Sequence, residues 1–254
     1  MTQITLGLFF ATKISTMSTA FLKAEWRKLA MANYVVDPKL LIPYLPKHTE
    51  LDLWNGNCYV SLVGFMFKNT RIKGVKIPLH VNFEEVNLRF YVRHFDEGEW
   101  KRGVVFISEI VPKWALSFVA NTIYGEHYET MPMSHNWLST ENEMTVTYNW
   151  KKNNHWNQFQ VKTALVSIEM PENSEEEFIT EHFWGYTQRK KGRTSEYGVE
   201  HPRWQVYPLK SYTIDVDFES VYGADFQFLQ TETPVSVFLA EGSEIVVRNG
   251  KILP

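Results

Sequence analysis

Two carboxylates, an amide, a guanidinium and a lysine stand where their types and spacing could do chemistry. In FEEVNLRFYV, residues 83–92, strand periodicity puts Glu85, Asn87, Arg89 and Tyr91 on one face and Val86, Leu88, Phe90 and Val92 on the other. Alternate strand residues are ~6.6 Å apart, so Glu85 and Arg89 are ~13 Å apart along the backbone and need partners other than each other. The polar face either looks into water, as on a half-solvated antiparallel sheet, or lines a pocket. In a pocket, Arg89 anchors an anion and Glu85 and Asn87 orient it.

Glu109 shares a strand face with Val105, Ile107 and Val111 in GVVFISEIV, residues 103–111. Burial there would raise its pKa, which suits a general acid near neutrality. The plainer alternative is an acid at a strand end that reaches water or a base. Lys113 follows Pro112 in the first turn of an expected helix, where the dipole disfavours an ammonium. A neutral amine there could attack a carbonyl to form a Schiff base, or the side chain simply extends into solvent. GEHYE, residues 125–129, adds His127 and Tyr128, and HPRW, residues 201–204, adds His201 and Trp204 as an aromatic wall with a polar handle.

None of the eight histidines stands in H-x-H or H-E-x-x-H spacing, so no metal is expected. Neither a glycine-rich phosphate loop nor a serine elbow is present, and no cofactor is expected. The basic run RKKGR, residues 189–193, follows a helical pattern and reads as a solvated loop rather than a nucleic-acid patch.

The elements that must position these groups are mostly strands. The chain from about Trp26 to Leu45 reads as a strand, a turn at Asp37-Pro38 and a short helix with Asp37 as N-cap. CYVSLVGFMF, residues 58–67, and the 103–111 segment are apolar on both faces, the mark of strands inside a covered sheet. Pro112 opens a helix whose stripe is Ala115, Phe118, Val119, Thr122 and Ile123, stopped at Gly125. Residues 144–150 and 157–170 form a hairpin pattern across KKNNH. A capping box, Ser174 with Glu177, starts a helix expected to run to Gly185. Residues 199–254 return to strands, with Asn249-Gly250 as a hairpin turn.

The 254 residues, 44% hydrophobic with 9 Trp, 12 Tyr and 17 Phe, describe one aromatic-rich, mostly β domain without linker or repeat. A formal charge of −3 gives no reason to expect nucleic acid or an anionic membrane as partner. The single cysteine, Cys58, excludes an intrachain disulfide and fits a reducing cytoplasm. LGLFFA, residues 6–11, is too short and lacks the basic lead of a signal peptide. Residues 1–16 read as an extension preceding Met17, disordered or lightly docked, with residues 17–254 as the domain.

Several stretches in order resemble the YqjF-like family of uncharacterised bacterial proteins: NYVVDPKLLIPYLPKHTELDLWNGNCYVSLVGF, FEEVNLRFYV, RGVVFISEIVP, EHFWGY, EYGVEHPRWQVY and AEGS. The likeness covers roughly residues 24–247 and is most specific in E-x-N-L-R-x-Y-V. That family is grouped with the acetoacetate decarboxylase-like superfamily. The resemblance therefore implies an α+β chain built on a closed, cone-like antiparallel β-barrel with a cavity, a few peripheral helices and a homo-oligomeric state. It also implies the pocket reading of Glu85, Asn87 and Arg89. With Tyr91, Tyr128, His201 and Trp204 these are the expected ligand-binding residues for a small anionic or carbonyl-containing metabolite. The decarboxylase forms a Schiff base through a lysine in a segment where an acid precedes P-K-K. Glu109 and Pro112-Lys113 match that segment loosely, with Trp114 in place of the second lysine. A lyase using Lys113 as nucleophile and Glu109 as proton carrier is the alternative function, and a scaffold without a ligand is the third.

Overall fold

Residues that alternate or run apolar do form strands, and the long ones assemble into one strongly covered sheet. The computed structural model describes residues 20–112 and 128–254. The first strands are β1 (Ala20–Val36), β2 (Glu50–Leu51), β3 (Cys58–Ile72), β4 (Phe83–Asp96) and β5 (Glu99–Val111). They are followed by β6 (Tyr128–Thr130), β7 (Met133–Ser139), β8 (Met144–Lys152), β9 (His155–Thr163) and β10 (Ile168–Glu169). The remainder are β11 (Trp184–Arg189), β12 (Arg193–Glu200), β13 (Gln205–Tyr207), β14 (Leu209–Asp215), β15 (Ser236–Arg248) and β16 (Lys251–Ile252). The main sheet runs β10-β13-β15-β1-β3-β4-β5-β11-β12-β16, with β2 on β4, β6 on β5, and a further pairing of β12 with β15. A second sheet runs β14-β9-β8-β7.

Strand β4 shows why its two faces disagree. Val86, Leu88, Phe90 and Val92 pack in one cluster with Val146, Tyr148, Trp150, Phe159 and Val161 of the second sheet. The other face looks into a separate apolar cluster that holds Met31, Phe65, Phe83, Tyr91, Phe178 and Trp204. The main sheet is thus buried on both sides, which is what double-sided apolar runs in β3 and β5 require.

Several local signals hold. Asp37 accepts from the Lys39 amide at 2.9 Å and caps the helix Pro38–Leu41, with proline in its first turn. β8 and β9 form the expected hairpin, with the turn confined to Asn153-Asn154 because Lys151, Lys152 and His155 join the ladder. Ser174 accepts from the Glu177 amide at 3.1 Å and opens the helix Glu175–Thr180.

Others need correction. That helix stops at Thr180 rather than Gly185, because the β-prone run Trp184–Arg189 pairs with β12 and with β5. Gly185 instead leaves room for the Tyr197 ring, which an added Cβ would meet at 2.2 Å. Residues 157–170 are not one strand, since β9 ends at Thr163 and β10 pairs with β13. Asn249-Gly250 does not reverse the chain: β15 and β16 both pair antiparallel with β12, one after the other along its length. Residues 199–254 also contain a helix, Phe218–Tyr222, and a 3-10 turn, Ala224–Gln230. The expectations for residues 1–16, for Lys113 and for the helix after Pro112 lie outside the described residues. Among the described residues, no helix is long and apolar enough to cross a membrane.

Candidate functional site

The middle of β4 carries the site, and its register against β5 shifts between Leu88 and Arg89. Its register sets Asn87 beside Glu109 of β5, and Glu109 beside Tyr128 of β6, so the three form one row across adjacent strands. Glu85, Asn87 and Arg89 are 3%, 1% and 8% exposed, and Glu109 is 1% exposed. All four line a cavity of about 130 Å³ together with Tyr128, His182, His201 and Trp204. Most of its other described lining is apolar, including Trp26, Phe65, Phe67, Phe83 and Phe106. The volume is close to that of the ~150 Å³ engineered cavity that takes up benzene, which sets the scale of an occupant.

The hydrogen bonds sort these groups by availability. Asn87 donates its amide to Glu85 Oε1 at 3.0 Å, and the Tyr128 hydroxyl donates to Glu85 Oε2 at 3.3 Å. This orientation turns Asn87 Oδ1 away as a buried acceptor without a partner. Arg89 Nη2 has only the Met31 sulfur, at 4.0 Å, and Arg89 Nε has no hydrogen-bond partner. No described carboxylate forms an ion pair with Arg89. A buried guanidinium is costly unless paired, so a cavity-facing one that lacks a counter-ion calls for an anion.

Tyr91 is the exception among the expected ligand residues. It is buried outside the cavity lining, donates its hydroxyl to Ser61 Oγ at 2.7 Å, and packs 4.7 Å from the His182 ring. Ser61 in turn donates to Asn33 Oδ1 at 2.6 Å, so Tyr91 belongs to a structural chain across β1, β3 and β4. Trp204 stacks on His201 at 4.2 Å and donates Nε1–H to Ser243 Oγ at 2.8 Å.

Sequence reasoning missed the pair His182 and Asp52, joined by a 3.1 Å contact between Nε2 and Oδ2 across 130 positions of chain. Arg102 Nε also donates to Asp52 Oδ2, at 2.7 Å. Burial raises the Asp52 pKa, but the hydrogen bonds from His182 and Arg102 outweigh it and hold the carboxyl below its ordinary value. No local motif announces such a pair; only the fold brings the two segments together.

Burial dominates both cavity histidines. It draws His182 down to about 4 against the opposing Asp52 hydrogen bond, and His201 down to about 4 against the Pro202 carbonyl. The sign follows from the folded pKa lying below the unfolded ~6.5. Between pH 6.5 and 4 the unfolded chain binds protons that the native state refuses. Stability is therefore full above about pH 6.5 and falls as the pH drops toward 4, by about 3 kcal/mol from His182 alone. His182→Phe is expected to lose much less stability than the parent between pH 7 and 4.5, read by urea unfolding at each pH.

His94, Asp96 and Glu196 bring candidate ligand atoms within 4.8 Å of one another. Lys101 Nζ already bridges Asp96 at 2.6 Å and Glu196 at 3.3 Å, and Lys251 Nζ reaches both at 3.3 Å. Two ammoniums supply the positive charge there, so the cluster is an ion-pair network and not a metal cradle.

With this geometry in view, comparisons with known proteins are informative about ancestry and fold. The model of a family of unknown function, DUF2071, described as an uncharacterized conserved protein, matches residues 23–244. The uncharacterized protein YqjF of Bacillus subtilis is 33% identical over 88 residues, 34% of this chain and 35% of that relative. The matched stretch thus spans about a third of the curated relative's length. Among solved structures, the acetoacetate decarboxylase of Legionella pneumophila superposes with a TM-score of 0.62 at 13% identity, covering 100% of this chain and 98% of that one. An acetoacetate decarboxylase-like enzyme from Sphingomonas wittichii gives 0.63 at 11% identity, with 96% and 97% covered. The enduracididine biosynthesis enzyme MppR, complexed with pyruvate, gives 0.64 at 12% identity, with 99% and 98% covered. These structural likenesses establish a mostly β chain of the acetoacetate decarboxylase-like fold.

Proposed function

From the premise that this chain belongs to the DUF2071 family, we propose that it binds a small carboxylate in the Arg89 cavity. The carrying observation is Arg89 itself: 8% exposed, on the cavity wall, with no described carboxylate as partner. The pairings β15–β1–β3–β4–β5–β11–β12 and back to β15 are read here as a closed barrel around that cavity. Glu85 and Asn87 orient the ligand, and Tyr128, His201 and Trp204 wall it. The pyruvate complex of MppR supports a ligand of this size and charge in a related fold.

A panel of two- to five-carbon carboxylates tests the reading by thermal shift. A ligand that binds only the native state at 100 times its Kd adds about 2.7 kcal/mol, or roughly 5–10 °C for a chain of this size. At least one member of the panel is expected to give such a shift; a flat response across the panel at tens of millimolar removes the reading.

A Schiff-base lyase is the second reading, favoured by one observation. Glu109 is 1% exposed on the cavity wall, three residues before Pro112 and four before Lys113. Keto acids incubated with the protein and borohydride would then leave a reduced adduct on Lys113, detectable by peptide mass spectrometry. Unmodified Lys113 across the keto-acid panel sinks this second reading and leaves carboxylate binding untouched.

A further inference from the structure

The Asp52–His182 pair fixes something that Arg89 alone does not. Asp52 is held ionised, so its Oδ2 can only accept. A lone pair on His182 Nε2 would face that oxygen at 3.1 Å, so the ring proton must sit on Nε2 and Nδ1 must carry the lone pair. The 3.4 Å approach of Arg102 Nη2 to Nε2 is the longer contact and does not reverse this.

His182 Nδ1 has no hydrogen-bond partner, and its residue is only 7% exposed. The ring lies between Tyr91, 4.7 Å away, and Phe178, 5.1 Å away, which leaves little freedom to turn. His182 lines the cavity whereas Asp52 and Arg102 do not, so the Asp52 side of the ring points away from the ligand space. Arg89 sits next to it, with its guanidinium carbon 5.7 Å from the Tyr91 ring centroid, and its charge further disfavours protonation of His182.

The same logic applies to His201. Its Nδ1 lies 2.9 Å from the Pro202 carbonyl, which can only accept, so Nε2 is the acceptor. With the unpartnered Asn87 Oδ1, the described lining presents one cationic donor and three neutral acceptors beside the carboxyls of Glu85 and Glu109. A plain carboxylate satisfies Arg89 and leaves every acceptor bare. A ligand ammonium would meet the acceptors and the Glu85 and Glu109 carboxyls, but beside the ligand carboxylate it would also lie against the guanidinium that repels it. A hydroxyl is the neutral donor that fits.

We propose that His182, oriented by Asp52, recognises a hydroxyl group beside the carboxylate, so that the ligand class is a small hydroxycarboxylate. This rests on Arg89 being the carboxylate anchor. Sites that hydrogen-bond a ligand hydroxyl reject the analogue lacking it, because a buried polar group is then stranded.

Matched pairs test the proposal by calorimetric titration: glycolate against acetate, lactate against propionate, 3-hydroxybutyrate against butyrate. The parent protein is expected to bind at least one hydroxy acid roughly tenfold to a hundredfold more tightly than its partner. His182→Phe should bring that ratio close to one while keeping the affinity for the deoxy acid. Equal binding within every pair overturns the hydroxyl role and leaves the carboxylate reading standing. Absence of binding by all six acids overturns both. Nitrogen-15 spectra of the histidine-labelled parent give a test that needs neither ligand nor variant. They should show His182 protonated at Nε2 and bare at Nδ1 at pH 7; a proton on Nδ1 overturns the proposal by itself.

Discussion

Arg89→Met is expected to abolish carboxylate binding and, at the same time, to raise the melting temperature of the ligand-free protein. The two effects have one cause. The guanidinium is buried in an apolar cavity and its described contacts amount to a sulfur at 4.0 Å and the Tyr91 ring. Its desolvation is therefore largely uncompensated until an anion arrives. Methionine fills similar space without the charge, and replacing poorly compensated buried charges by apolar groups commonly gains about 1–4 kcal/mol. In a chain of this size each kcal/mol recovered corresponds to roughly 2–4 °C. Removing the charged partner of a buried anion costs about 2–5 kcal/mol in binding, a loss of about 30-fold to several thousandfold. Calorimetric titration and a melting curve on the same sample check both halves. A variant that melts lower while binding as the parent does would show Arg89 to be a structural residue.

Gly242→Ala carries the largest expected cost in stability. Gly242 has φ +80° and lies opposite Arg27 in the β15–β1 ladder. A Cβ there would stand 2.0 Å from the Trp26 carbonyl oxygen, which belongs to backbone and cannot swing aside. Across the ladder, Lys28 sits at φ 55°, within the register shift that β1 makes against β3 between Arg27 and Ala30. The glycine and the bulge together turn Trp26 onto the cavity wall. The strain and the clash add to a loss of about 3–5 kcal/mol, read as a lower urea midpoint with unchanged slope. A midpoint within error of the parent would show that the bulge relaxes freely.

Much of this architecture is legible in the residues, and the illegible parts have physical reasons. Alternation in β4 separates a face that packs on the second sheet from a face that carries Glu85, Asn87 and Arg89, and the capping signals at Asp37 and Ser174 mark true helix starts. Where local and tertiary preferences compete, the local reading overshoots. His182 and Phe183 sit on the helical stripe of 174–185, yet pairing of Trp184 with Gly103 and Gly198 draws the chain out of the helix. The same competition hides the site's other half. Asp52 and His182 have no sequence relationship that could announce a hydrogen bond, and Tyr91 looks identical to Arg89 in periodicity until Ser61 claims its hydroxyl. Pattern gives the face; the partner of each side chain depends on which strands end up adjacent.

The unequal edges of the two sheets bear on self-association. The path of the main sheet ends in the two-residue strands β10 and β16, so its long backbones offer almost no vacant amide rail to another molecule. The small sheet is different: β7 and β14 are its outer strands, seven residues each and largely exposed. Among the described strands these two ribbons are the longest open templates for strand addition, and they carry the polar His135 and Asn136 on β7 and the charged Lys210 on β14, residue types that disfavour edge-to-edge pairing.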